Sequence, residues 1–112
     1  VEAIIKQFEP EVLAVEELYS HYGHPKTAII MGHARGIVFL KAAEAGLTVI
    51  PYASTRIKKS LTGNGRASKR QMQRMITSAL ALGKVPEPPD AADALAVALC
   101  HCRAMAHSEA GR

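Results

Sequence analysis

The chain has 112 residues, which is enough for one domain with a small core, and its 48% hydrophobic content excludes a disordered chain. Aromatic residues make up only 4% and Trp is absent, so the core is predicted to be aliphatic and rich in alanine. No apolar stretch is long enough to cross a bilayer, and no signal peptide opens the sequence. The two cysteines cannot easily bridge each other, which fits reduced thiols. These features predict a cytoplasmic protein.

Helices and strands alternate along the chain, as is typical of an α/β layer with a mostly parallel sheet. In chain order, the sequence predicts a helix over 2–8, a buried strand over 12–15, a loop over 21–25, a helix over 27–45, a strand over 47–53, a basic helix over 54–60, a helix over 68–82 ended by Gly83, and a last helix from residue 90. Two strands are too few for a free-standing sheet of this kind. Val1 also falls within a predicted helix with no capping signal ahead of it, so we expect a single domain over residues 1–112 that is N-terminally incomplete.

Asp90 and Asp93 are the only two aspartates of the chain, and they follow the proline-rich stretch 86–89. Residues three apart on a helix share a face, so both carboxylates are predicted to point the same way from an otherwise apolar helix. Hard oxygen ligands in this arrangement favour a divalent-metal site. The alternative interpretation makes Asp90 an N-cap and Asp93 an acid that the helix dipole favours.

Glu16 directly follows the first predicted strand. Ligands in open α/β sheets gather at the carboxyl ends of the strands, so Glu16 is predicted to complete a cluster of three acids with Asp90 and Asp93. Strand alternation points Glu17 to the other side and makes it the weaker candidate.

Positive charge is concentrated in one long segment of the chain. No acidic residue lies between Glu44 and Glu87, and the interval contains a glycine turn at residues 62–65. Seven of the 14 lysines and arginines lie within residues 56–74 of this interval, at Arg56, Lys58, Lys59, Arg66, Lys69, Arg70 and Arg74. Such a segment predicts contact with a phosphate backbone, although a solvated basic helix face is the alternative.

Several motifs occur in the same order along almost the whole chain as in a known family. They are Ala14-Val15-Glu16, Tyr19, Gly32-His33-Ala34-Arg35-Gly36, Tyr52-Ala53, Lys58, Lys69 and Asp90-Ala91-Ala92-Asp93-Ala94-Leu95-Ala96. On these motifs the chain resembles the RuvC family, the bacterial Holliday-junction resolvases of the ribonuclease H-like fold. The resemblance implies a structure-selective endonuclease of DNA recombination and repair.

The resemblance also implies the site and the partners. The family binds two divalent ions, usually Mg²⁺, with Mn²⁺ as the alternative, through four carboxylates, and by position Glu16, Asp90 and Asp93 are three of these catalytic acids. Lys58 and Lys69 resemble residues that contact the junction near the scissile phosphate, and Tyr19 resembles an aromatic that acts on bases at the crossover. The implied partners are branched DNA, a second copy of the chain joined through the long helix, and a branch-migration motor.

One acid of the family pattern is missing from this sequence. The family's first acid lies in an Asp-Pro-Gly context on its first strand, whereas this chain has no aspartate before Asp90. We therefore expect this chain on its own to be inactive as a nuclease. The alternatives are a non-catalytic module that binds junctions or DNA, and a purely structural helical domain.

The last helix holds two further features. His101 follows Asp93 by eight residues, about two turns, and is interpreted as a possible assisting residue beside the metal site, with a surface or interface histidine as the alternative. Cys100, Cys102 and His107 match the spacing of no common zinc site, so an incidental cluster is the preferred interpretation.

Overall fold

The computed structural model describes residues 2–17 and 25–110, so Tyr19 and most of the predicted loop over residues 21–25 lie outside the described residues. The helices and strands of the described residues are α1 (Glu2–Phe8), β1 (Val12–Glu16), α2 (Pro25–Glu44), β2 (Thr48–Tyr52), α3 (Ser54–Thr62), α4 (Lys69–Ala79) and α5 (Pro89–Ala110). The chain divides into two compact units, Val1–Pro51 and Tyr52–Arg112. The single domain expected over residues 1–112 stays a prediction.

In the first unit, α2 connects β1 to β2, and the two strands form a parallel two-stranded sheet. The N–H of Thr48 donates to the carbonyl of Glu11 at 3.1 Å where the strands begin to pair. All five residues of β1 are half-buried, whereas the sequence predicted a strand buried on both faces. The difference arises because the sheet has only these two strands among the described residues. The α/β prediction is confirmed.

The end of α2 requires a glycine. Gly46 has φ +76°, in the left-handed region that side-chain-bearing residues avoid. This conformation lets the N–H of Leu47 reach the carbonyl of Ala42 at 2.9 Å and so satisfies a free carbonyl at the helix end. The predicted end of this helix at residue 46 is therefore confirmed.

A surface ion-pair network joins α1 to α2. The Nζ atom of Lys41 lies 3.5 Å from Oε2 of Glu2 and 3.4 Å from Oε2 of Glu44, and Lys6 lies 3.7 Å from Oε1 of Glu2. The attraction of Lys41, followed by that of Lys6, lowers the pKa of Glu2 below its ordinary value of 4.5. Glu2 in turn raises the pKa of Lys41 above its ordinary value of 10.5.

In the second unit, α3, α4 and α5 pack against one another around a small aliphatic core. Its buried side chains are Tyr52, Ile57, Leu61, Ala67, Met72, Ile76, Ala92, Ala96, Val97 and Cys100. The buried positions are four residues apart on α3 and on α4, and on α5 they are 92, 96, 97 and 100, which lie on one face of an amphipathic helix. None of the helices in the described part of the chain combines the length and apolar character that a membrane span needs.

The turn between α3 and α4 is fixed by local hydrogen bonds. Gly63 adopts φ +80°, and its N–H donates to the carbonyl of Lys59 at 2.8 Å to close α3. The side-chain oxygen of Asn64 accepts from the N–H of Arg66 at 2.9 Å. Ser68 and Gln71 then form a capping box at the start of α4, at 2.7 and 3.1 Å. The predicted glycine turn therefore has a defined conformation.

Helix α4 ends at Ala79, three residues before the predicted end at Leu82. Ala81 adopts φ +52°, a left-handed conformation, and the N–H of Leu82 donates to the carbonyl of Thr77 at 2.9 Å. This is the hydrogen bond that usually forms around a glycine. The sequence prediction placed the helix end at Gly83 because an alanine rarely takes this role.

Candidate active site and nucleic-acid interface

Helix α5 presents its two aspartates to solvent. The helix begins at Pro89, so Asp90 lies in the first helical turn and is not the N-cap residue of the alternative interpretation. Ala92, Ala96 and the positions that follow on the same side are buried, whereas Asp90 and Asp93 are both exposed. Neither carboxylate has a hydrogen bond or ion pair with another described residue, in 2–17 or 25–110. Their oxygens are therefore available to an external ligand.

Glu16 is the last residue of β1, within the strand rather than directly after it, and is half-buried. Its backbone carbonyl accepts a hydrogen bond of 3.1 Å from Nη1 of Arg35 on α2. The Arg35 guanidinium also lies 4.8 Å from the centre of the Phe39 ring. Arg35 thus anchors the end of β1 from the neighbouring helix, a role that sequence reasoning missed. Its only sequence signal was its place in the motif Gly32 to Gly36.

The three predicted metal ligands are divided between the two units: Glu16 lies in the first, and Asp90 and Asp93 lie in the second. Among the described residues of either unit, no three His, Cys, Asp or Glu side chains form a group that could hold a metal ion. In the second unit, the two exposed carboxylates of Asp90 and Asp93 lie three residues apart on α5. Cys100 is buried while Cys102 is exposed, so the two thiols face different environments, as their spacing predicted.

His101 has a partner that the sequence did not reveal. A hydrogen bond of 2.6 Å joins its Nδ1 to the hydroxyl of Tyr52, and the two rings meet edge to face with centroids 5.8 Å apart. Tyr52 is only 3% exposed, so its hydroxyl depends on this contact for a partner. The assisting role of His101 beside a metal stays a prediction, because its position in the structure is accounted for by Tyr52.

The basic segment, residues 56–74, covers most of α3, the turn and the first half of α4. Of its seven cations only Lys58 is half-buried, and the other six are exposed. None of the seven forms a salt bridge with a described residue, so their charge is not neutralised there. Arg56 and Lys58 are two residues apart on α3 and therefore point to roughly opposite sides of the helix. The segment is thus a set of differently directed cations, not one flat face.

Comparison with known proteins identifies the family. Residues 1–101 match the family described as crossover junction endodeoxyribonuclease RuvC. The chain belongs to the RuvC family. It is 54% identical over 90 residues to RuvC of Rhodopirellula baltica, a match that covers 80% of this chain and 51% of the relative. It is 45% identical over 105 residues to RuvC of Desulfitobacterium hafniense strain DCB-2, covering 94% and 63%.

Solved RuvC structures share the fold. The chain superposes on the structure of Thermus thermophilus RuvC with a TM-score of 0.85 and 34% identity, over 96% of this chain and 64% of the other. A second structure, T. thermophilus RuvC in complex with Holliday junction substrate, gives a TM-score of 0.79 and 33% identity over 91% and 60%. The predicted family and ribonuclease H-like fold are confirmed. The chain spans about 51–64% of the length of these RuvC relatives.

Proposed function

We propose that this chain forms the junction-binding part, and part of the metal-binding site, of an endonuclease that resolves Holliday junctions. The observation that carries the proposal is the pair of exposed aspartates on α5, which have no protein partner among the described residues although the helix beneath them is packed into a core. Family membership supplies the reaction class, and a RuvC relative has been solved in complex with Holliday junction substrate.

Glu16, Asp90 and Asp93 are the proposed ligands of Mg²⁺, or of Mn²⁺ in its place. Carboxylate oxygens without a competing cation fit a hard divalent ion. When bound, such ions activate a water molecule and stabilise the charge that develops on the phosphodiester. In this proposal Asp90 and Asp93 hold their oxygens in place through the rigid first turns of α5, and the bond from Arg35 to the Glu16 carbonyl orients the end of β1.

The basic segment is the proposed DNA-binding surface. Exposed cations without acidic partners favour the release of counterions from a phosphate backbone. The proposal assigns phosphate contacts to Arg56, Lys58, Lys59, Arg66, Lys69 and Arg70, and a base contact to Tyr19. Aromatic residues are scarce in the chain, so the proposed recognition depends on the shape of branched DNA more than on base sequence.

Helix α2 supports the proposed homodimer. Five of its large apolar side chains are 42–59% exposed, at Ile29, Ile30, Met31, Ile37 and Leu40. Among the described residues, no atom lies within 4 Å of a Cβ atom built on Gly32 or Gly36, so another backbone can approach the helix closely there. Several exposed large apolar side chains on one helix favour a protein contact. The branch-migration motor is a proposed partner by family resemblance alone.

We further propose that this chain binds junctions but does not cleave them by itself. The two-ion reaction of the family uses four carboxylates, and this sequence has no aspartate before Asp90 to serve as the first. A non-catalytic DNA-binding module remains the second candidate function for the same reason. The two candidates differ in metal binding, because a pure binding module has no need for Asp90 and Asp93 as ligands.

The function is tested by comparing a four-way junction with a linear duplex of the same sequence in fluorescence anisotropy, without divalent metal. We expect tighter binding to the junction. Equal affinity for the two DNA forms would show that the chain binds DNA without selecting the junction. Incubation of the junction with Mg²⁺ should give no symmetric nicks, and efficient cleavage would contradict the proposed need for a further carboxylate.

Metal binding is tested by Mn²⁺ titration followed by electron paramagnetic resonance. Asp93→Asn should weaken Mn²⁺ binding by removing one ligand charge. Glu87→Gln is the matched control, because Glu87 is an exposed acid three residues before Asp90 and is not a proposed ligand. Equal losses in the two variants would show that general negative charge, rather than a site, attracts the ion.

A further inference from the structure

An open groove of about 350 Å³ lies between α3 and α5 in the second unit. Its polar lining comes from Arg56 and Ser60 on α3 and from Arg103 and His107 on α5. None of the described residues that line the groove is acidic. The groove therefore offers a concave, positively charged surface that adds the last helix to the basic segment.

The Arg103 side chain is held in place at one wall of the groove. Its Nη1 donates to the backbone carbonyl of Ser60 at 2.8 Å, which connects the two helices across 43 residues of sequence. A guanidinium has five N–H donors, so this bond leaves the others available to an acceptor in the groove. An arginine fixed in this way loses little side-chain entropy when it binds a ligand.

The Arg56 side chain is also held in place. Its guanidinium carbon lies 4.9 Å from the centre of the Tyr52 ring, within the range of a cation–π contact. Tyr52 is buried and is itself fixed by the hydrogen bond to His101. No hydrogen bond or salt bridge to a described residue uses the Arg56 donors. Two oriented guanidinium groups thus border the same groove.

We propose that this groove binds one phosphate of a DNA backbone, with Arg56 and Arg103 donating to it from opposite helices. The planar fork of a guanidinium matches the oxygens of a phosphodiester, which a lysine does not reproduce. The inference rests on the proposed DNA-binding function and adds Arg103 and a shared phosphate to it. Lys58 points away from Arg56 on α3, so this contact is separate from the one proposed for Lys58 and Lys69.

The salt dependence of junction binding tests the inference, with the 112-residue chain and a labelled four-way junction in EDTA. Removing one phosphate contact should reduce the log–log slope by about 0.9. Because both arginines bind the same phosphate, Arg56→Gln and Arg103→Gln should each lower the slope, and the double variant should lower it by about 0.9 in total. If the slope is unchanged in the double variant, the inference is wrong. If the slope of the double variant falls by about 1.8, the two arginines bind different phosphates and the shared phosphate is wrong.

Two further variants keep the result interpretable. Lys84→Gln removes an exposed charge of the same unit outside the groove, and an equal slope change there would overturn the site in favour of general charge. Arg103→Lys keeps the charge but not the fork, so it should retain the slope and weaken affinity several-fold. Loss of the bond to Ser60 can prevent Arg103→Gln from folding. In that case the slope of Arg56→Gln alone tests the site, since Arg56 makes no such bond.

The outcome for the wild-type chain separates this inference from the function it rests on. If the wild-type chain does not bind the junction, the proposed function and the phosphate groove both fail. If it binds and the arginine variants keep the wild-type slope, only the groove fails.

Discussion

The Tyr52 hydroxyl and the His101 Nδ1 lie 2.6 Å apart, and this contact connects the first residue of the second unit to α5 across 49 residues of sequence. Tyr52 is 3% exposed and His101 is half-buried. The Arg56 guanidinium carbon also lies over the ring of the same tyrosine, 4.9 Å from its centre. One phenol thus orients a histidine and an arginine on two different helices.

Tyr52→Phe tests the energetic weight of that contact. The variant keeps the buried ring and removes the hydrogen bond, so the free energy of unfolding should fall by about 1 kcal/mol. Chemical denaturation measures the change, and a double-mutant cycle with His101→Gln isolates the pair. His107→Gln, at an exposed histidine of the same helix, is the control and should leave stability unchanged. Strict additivity in the cycle would show that the contact contributes nothing.

The two lysines assigned to the scissile region by resemblance give a second prediction. Replacing Lys58 and Lys69 together with glutamine should flatten the salt dependence of junction binding by roughly two units, because each lysine that contacts a phosphate contributes about one. The matched control replaces Lys26 and Lys84, which are exposed and outside the proposed contacts. A slope that stays at the wild-type value would remove Lys58 and Lys69 from the interface.

The ion pair between α1 and α2 predicts a pH dependence with a definite sign. Since Lys41 lowers the pKa of Glu2 below 4.5, the pair's contribution to stability is present above 4.5 and is lost as the pH falls through the lowered pKa. Since Glu2 raises the pKa of Lys41, the contribution is also present below 10.5 and is lost as the pH rises through the raised pKa.

NMR titration of the Glu2 side-chain carboxyl measures this effect. In Lys41→Met the pKa of Glu2 should return toward its ordinary value of 4.5, because the largest cause of the shift is gone. Lys6→Met should produce a smaller return, because Lys6 is the second cause. A larger return for the Lys6 variant would mean that the contact within α1, rather than the one with α2, governs Glu2.

The left-handed alanine at the end of α4 gives a fourth prediction. Ala81 at φ +52° bears a steric cost that glycine avoids, so Ala81→Gly should raise the free energy of unfolding by about 1 kcal/mol. Ala79→Gly, two residues earlier and still helical, should instead lower it by about 0.5–1 kcal/mol. Thermal or chemical denaturation measures both, and the same sign in the two variants would contradict this account.

The order of elements was predictable because local signals delimit them. Prolines and glycines separate the segments, and the bounds of α3 and β2 were predicted to within two residues. The end of α4 was not, because the hydrogen bond from Leu82 to Thr77 imposes a left-handed conformation on an alanine. The residue types in this stretch carry no signal for that conformation, because it usually marks a glycine.

The candidate site was predictable in its residues and only partly in its contacts. Helical spacing was enough to put Asp90 and Asp93 on one side of α5, and the structure shows that this side is exposed. The contacts of Arg35 with Glu16, and of Arg103 with Ser60, join residues 19 and 43 positions apart. Periodicity carries no information about such pairs, because they depend on how separate elements pack. The cluster of three acids stays a prediction.

The small side chains beneath the aspartates have a consequence of their own. Ala92 and Ala96 are 2% and 5% exposed, so the backbone of α5 lies close to the helices it packs against. A bulkier residue at either position would move the helix outward as a rigid rod, because a close-packed interior has no spare volume. Asp90 and Asp93 would then be displaced together, with their mutual spacing intact. The buried alanine side chains therefore determine the position of the two acids on the surface of the second unit.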